Sequence, residues 1–193
     1  MNICVYGASS KTLDDKYIAA GENFGRILAE RGHCLVFGGG AHGMMGAASR
    51  GVKEANGKVI GVAPKFFDVD GVLCENCDDF YYTDTMRERK QIMEDISEAF
   101  VAVPGGIGTF EELFEILTLK QLGRHSKPVA ILNVNGYYDN ISDMFKKAVS
   151  ENFMTEACLE LYGIFETAEE VLDYIEGYKA EECDLSTFKN IWK

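Results

Sequence analysis

Short apolar runs alternate along the chain with longer stretches in which apolar residues recur every three or four positions. The runs Ile3–Tyr6, Cys34–Phe37, Val59–Val62, Phe80–Thr83, Phe100–Val103 and Val129–Leu132 read as strands, with a shorter one at Leu161–Phe165. Between them the spacing is helical. From Lys16 to Arg31, Ile18, Phe24, Ile27 and Leu28 fall on one stripe, and Gly32 ends the helix. Further helices are expected at Met44–Ala55, Met86–Glu98, Phe110–Leu122, Asp139–Glu151 and Ala168–Tyr178. Residues 64–79 carry no clear period and read as an irregular excursion. Strands that alternate with helices require crossover connections, so the sheet is expected to be parallel. The all-apolar Phe100-Val101-Ala102-Val103 suits a strand covered on both faces. The expected class is α/β: a doubly wound, mainly parallel sheet of about six to seven strands with helices on both faces.

Composition narrows this reading. A chain of 193 residues, 47% hydrophobic and with three prolines, predicts one domain spanning 1–193 and excludes a disordered chain. Nineteen Lys and Arg against 31 Asp and Glu leave a net charge of −12. Such a surface repels nucleic acid and anionic lipid, so neither is expected as a partner. An anionic ligand must instead be drawn by a local set of donors. No apolar run approaches the roughly 20 residues of a membrane span. The start, Met1–Gly7, enters a strand at once without a basic-then-apolar leader, which predicts a cytoplasmic protein. Six cysteines fit that location. Cys74-Glu75-Asn76-Cys77 has C-x-x-C spacing, yet no second such pair or paired histidines complete a zinc site. It reads as a surface loop with two thiols, and neither a metal nor a cofactor is expected.

Two glycine-rich turns stand at strand-to-helix junctions, where open parallel sheets bind ligands. Gly38-x-Gly40-x-x-Gly43 matches the dinucleotide fingerprint in form. It falls in the second βα unit, however, and the next strand ends in Ala63-Pro64-Lys65 with no acid for a ribose hydroxyl. Backbone packing beside a ligand cleft is the better reading, and no G-x-x-x-x-G-K-[ST] loop occurs. Pro104-Gly105-Gly106-Ile107-Gly108-Thr109 is more telling. Its glycines let successive N–H groups face one concavity at a helix start, a phosphate site, while Thr109 can also serve as N-cap. Glu112, three residues on, completes a T-x-x-E pattern, the spacing of a capping box. Its neighbour Glu111 must diverge from it on a helix. Thr83–Lys90 brings Arg87, Arg89 and Lys90 to another such junction, with Met86, Arg89, Lys90 and Met93 on one side of the helix. His33, His42 and His125 belong to no nucleophile pattern, and no G-x-S-x-G elbow is present.

Together, Met86-x-x-Arg89-Lys90 and Pro104-Gly105-Gly106-x-Gly108-Thr109-x-x-Glu112 resemble the LOG (Lonely Guy) family of cytokinin-activating phosphoribohydrolases. The likeness extends to Gly7-Ala8-Ser9-Ser10, Gly38-Gly39-Gly40-x-x-Gly43-x-Met45-Gly46, Gln121-Leu122-Gly123 and Asn133-x-Asn135-Gly136-Tyr137-Tyr138-Asp139. It implies a Rossmann-like homodimer that hydrolyses the N-glycosidic bond of N6-modified AMP, and in some relatives of AMP. The products are free base and ribose 5-phosphate. Arg89 and Glu112 are then the expected catalytic pair. Ser9, Gly39, Gly40, Met86, Lys90, Gly105, Gly106, Gly108 and Thr109 are the expected substrate contacts, with Gly105–Thr109 on the 5′-phosphate. Members are often labelled lysine decarboxylase, but no residue here marks a Schiff-base lysine or a pyridoxal phosphate site. The alternative is a non-catalytic carrier of a nucleotide or molybdenum cofactor on the same scaffold, against which the presence of both Arg89 and Glu112 argues.

Overall fold

A computed structural model describes residues 1–180; the end of the expected domain, 181–193 with Cys183, lies outside the described residues. Seven strands form one sheet: β1 (Asn2–Tyr6), β2 (Cys34–Phe37), β3 (Lys58–Pro64), β4 (Asp79–Thr83), β5 (Ala99–Ala102), β6 (Val129–Leu132) and β7 (Gly163–Phe165). Their order is β4-β3-β2-β1-β5-β6-β7, and every neighbouring pair is parallel. The helices are α1 (Asp15–Glu30), α2 (Gly43–Glu54), α3 (Met86–Ile96), α4 (Ile107–Gln121), α5 (Asp139–Ser150) and α6 (Ala168–Gly177). The expected α/β class holds. β7 begins later than the apolar pattern suggests, because Glu156–Leu161 winds into a 3₁₀-helix.

Alternation along the strands splits the core into two layers. Ile3 and Val5 of β1 face Phe24, Leu28, Met44 and Leu172 from α1, α2 and α6. Cys4 and Tyr6 face Met93, Leu113, Ile116 and Tyr138 on the opposite side. Met93 and Leu113 are almost wholly buried, and each such side chain stabilises the fold by about 1.5–3 kcal/mol. Two helices begin with reciprocal capping boxes, Thr85 with Glu88 and Thr167 with Glu170.

This topology positions the site. From β1 the chain builds outward to β4, then returns to place β5 on the other side of β1. The loops leaving β1 and β5 therefore diverge and open a crevice at the carboxyl edge of the sheet. β3 and β4 are joined without an α-helix, by residues 65–78, which contain one 3₁₀ turn, Lys65–Phe67. Two backbone hydrogen bonds fasten this strap across the β2 loop. Ala41 N–H donates to the Val72 carbonyl and Cys74 N–H to the Gly39 carbonyl, which makes an antiparallel bridge between Gly40 and Leu73.

Candidate active site

The crevice is a cavity of about 420 Å³ bounded by the loops after β1, β2 and β5, the start of α3 and the strap. The loops brace one another. Ala8 N–H donates to the Pro104 carbonyl at 3.1 Å, and Met45 N–H donates to the Ala8 carbonyl at 3.2 Å. Gly43 sits at φ +64° with the Ala8 carbonyl where a Cβ would stand, so both its conformation and its packing require glycine.

One wall is the N-terminus of α4. The helix starts at Ile107 with Gly106 as N-cap, and no side chain caps it. Its first-turn N–H groups, with no acidic residue in that turn, present the positive end of the helix dipole to the cleft. Space around Gly106 and Gly108 is open, as an approaching oxyanion requires. Thr109 lies inside the first turn and is buried against the cleft, so the expected N-cap role is corrected. The T-x-x-E capping box does not form either, because Glu112 stands a further turn along the helix and finds a distant partner.

That partner is Arg89. Its Nη1 donates to Glu112 Oε1 at 2.5 Å and its Nε to the Val62 carbonyl at 3.2 Å. Arg89 and Glu112 are only 6% and 7% exposed, and both line the cleft. Removal from water pushes the Glu112 carboxyl above the ordinary glutamate range, against the opposing pull of the Arg89 guanidinium. The close fit of Arg89 Nη2 over Gly38 occupies the space a Cβ would need, so glycine there admits the guanidinium. The geometry offers an anion cradle beside a buried carboxylate whose oxygen is fixed by an arginine.

Most of the expected contacts converge here: Ser9, Gly40, Met86, Gly106, Gly108 and Thr109 line the same cavity. Gly39 instead packs beneath the Phe80 ring. Gly105 packs against Thr109, and its carbonyl accepts from Tyr137 Oη at 2.6 Å, so it supports the cradle from behind. Lys90 is a correction. Its ammonium pairs with Glu111 and, at 2.8 Å, with Glu115 Oε2, lining a separate groove between α3 and α4. Helical spacing places it near Arg89 but turns it to the outer side. Glu111 diverges from Glu112 as expected. A larger cavity, about 700 Å³, lies at the end of β6 among Asp139, Glu166 and Glu169; its acidic lining is wrong for an anion and it holds none of the candidate residues.

A family model described as "Possible lysine decarboxylase" matches residues 45–175. The chain is 41% identical over 179 residues to the cytokinin riboside 5'-monophosphate phosphoribohydrolase LOG of Oryza sativa subsp. japonica, covering 93% of this chain and 74% of that one. It is 36% identical over 190 residues to the corresponding enzyme LOG2 of Arabidopsis thaliana, covering 98% and 89%. The chain belongs to the LOG family.

Solved structures share the LOG-family fold more widely. The molybdenum cofactor carrier protein of Chlamydomonas reinhardtii superposes with a TM-score of 0.70 at 24% identity, covering 91% of this chain and 95% of that one. The molybdenum cofactor binding protein of Rippkaea orientalis gives 0.69 at 23% identity, covering 91% and 94%. In this LOG-family chain the decarboxylase description finds no matching chemistry. A Schiff-base lysine is desolvated or held beside another cation, whereas Lys11, on the cleft wall, is exposed. Sequence reasoning missed the apolar wall of Met45, Phe67, Val72 and Leu73. Three of these belong to the strap, whose shape comes from hydrogen bonds to residues about thirty positions away, so no local period reveals it. Among the described residues, no helix is long and apolar enough to cross a membrane, and no cluster of three metal-ligating side chains occurs.

Proposed function

We propose that this chain hydrolyses the N-glycosidic bond of cytokinin riboside 5'-monophosphates, N6-modified forms of AMP, and also AMP, releasing the purine base and ribose 5-phosphate. The names of the LOG-family relatives support the reaction, and the buried Arg89–Glu112 pair opening on the uncapped start of α4 carries the assignment. The 5′-phosphate sits on the N–H groups of residues 107–109 and the Thr109 hydroxyl, which overcomes the −12 charge of the chain locally. That remote grip aligns the ribose. As the C1′–N9 bond breaks, positive charge develops on the sugar, and the Glu112 carboxylate stabilises it and orients the attacking water. The water oxygen bonds C1′, one of its protons stays on the new hydroxyl and the other leaves with the purine. Arg89 holds Glu112 in place. The purine lies against Met45, Phe67, Val72, Leu73 and Met86.

The same reading takes the chain as one domain over 1–193, acting in the cytoplasm as a homodimer, with no nucleic acid, membrane, metal or cofactor as partner. The molybdenum-cofactor-carrier alternative rests on likeness of fold, and a carrier has no need of the buried catalytic pair. Incubation with AMP and with N6-isopentenyl-AMP, with products separated chromatographically, tests the activity. Free base and ribose 5-phosphate are expected from both; tight binding of either without release of base supports the carrier instead.

A further inference from the structure

The strap that walls the cleft carries a pair of thiols that the reaction does not use. Glu75 and Asn76 form a turn with Cys74 and Cys77 at its two ends. Turn ends of this kind have Cα atoms within about 7 Å, close to the span that a disulfide bridges. The expected surface loop is corrected: both residues are half-buried and pack against the core, and Cys77 Sγ lies over Gly61 of β3. Both thiols are free. Cys74 Sγ meets Ser49 Oγ of α2 at 3.4 Å and also borders an open cavity of about 300 Å³. Contacts from the Cys77 thiol, Ser49 and the Asn76 N–H, with Lys53 nearby, bring the Cys74 thiol down to about 5 against the effect of burial, while the contact with Cys74 and then burial push Cys77 up. Cys74, which borders the open cavity, is placed to meet an incoming disulfide, and Cys77, absent from that lining, to resolve it.

We propose that Cys74 and Cys77 are a redox-active dithiol that closes to a disulfide by exchange with a low-molecular-weight disulfide, and that closure weakens nucleotide binding in the adjacent cleft. The second half rests on the nucleotide reading above. Cys74 thiolate attacks one sulfur of the small disulfide, forming a mixed disulfide and expelling one thiolate. Cys77 then attacks Cys74 Sγ and expels the second. Two protein thiols and one disulfide become one protein disulfide and two small thiols, the two protons passing to the leaving sulfurs. Coupling follows from the strap. Cys74 N–H holds the Gly39 carbonyl, and Leu73, Val72 and Phe67 face the cleft. Drawing Cys74 Sγ into a covalent bond with Cys77 pulls on its contact with Ser49 of α2 and shifts the wall that Cys74 anchors.

The full chain is equilibrated in glutathione buffers from fully reduced to fully oxidised, and peptide mass mapping follows the bond. A loss of about two daltons confined to the peptide holding Cys74 and Cys77 is expected. The mixed glutathione adduct should persist in Cys77→Ser. AMP affinity is measured in parallel on the Glu112→Gln chain, and KM for the N6-modified nucleotide on the natural chain. Each should weaken about fivefold on oxidation, the low end of typical coupling, with kcat unchanged. Cys74→Ala/Cys77→Ala should bind alike in every buffer. Failure of the pair to oxidise overturns the proposal. Equal AMP affinity in both states overturns the coupling alone. Disulfide closure with no nucleotide binding in either state overturns the coupling and the nucleotide reading together.

Discussion

Adjacent residues of α3 pair with adjacent residues of α4: Arg89 with Glu112, and Lys90 with Glu111. Their charges are alike, their surroundings opposite. Arg89 and Glu112 point between the helices into the crevice and have lost nearly all contact with water. Lys90 points to the outer groove, where Glu111 and Glu115 are half-exposed and solvent screens the attraction. Charge in a sequence therefore says little about role. The rotation of one helical position, about 100°, separates a reactive pair from a surface fastening.

The largest expected contrast comes from the carboxylates. Glu112→Gln should lower kcat by about a thousandfold with nucleotide binding kept, whereas Glu111→Gln should stay within about twofold. Steady-state kinetics with calorimetric AMP binding measures both. Arg89→Ala should reduce kcat/KM by about a hundredfold and, because it strands a buried carboxylate, destabilise the fold by about 3 kcal/mol in urea melts. The pH profile sharpens the contrast. Burial raises Glu112 and its carboxylate is the active form, so kcat/KM should fall on the acid side at a pH above the ordinary glutamate value of 4.5. The sign for stability follows from the same shift. The folded state favours protonated Glu112, so its contribution is full at low pH and is lost as pH rises through the folded-state value. The smallest effect belongs to the outer pair: Lys90→Ala should cost under about 1 kcal/mol and leave turnover unchanged.

Much of this was legible in the sequence. The seven strands and six α-helices of the described residues follow from period alone, because the central strands β1, β2, β5 and β6 are near-continuous apolar runs and helices such as α1 and α6 carry an apolar stripe. The two glycine turns flag the crevice, because glycine lets backbone approach backbone and ligand. Thr109-x-x-Glu112 shows where local pattern stops. Thr85 with Glu88 and Thr167 with Glu170 share its spacing and do form capping boxes. Thr109 does not, since the helix starts at Ile107 and Glu112 is claimed by an arginine 23 positions earlier in the chain. Lys90 was misplaced for a related reason: helical spacing groups side chains without saying which side the cleft occupies. The strap was unreadable because its shape is set by the β2 loop, which only the fold brings beside it.

The central claim is that the open start of α4 grips a phosphate so that Glu112 meets the sugar. Comparing kcat/KM for an N6-modified adenosine 5′-monophosphate with that for the same nucleoside lacking phosphate tests it most directly. The account predicts a preference of at least about a hundredfold for the monophosphate, expressed in kcat as well as KM. Comparable cleavage of the two would contradict it.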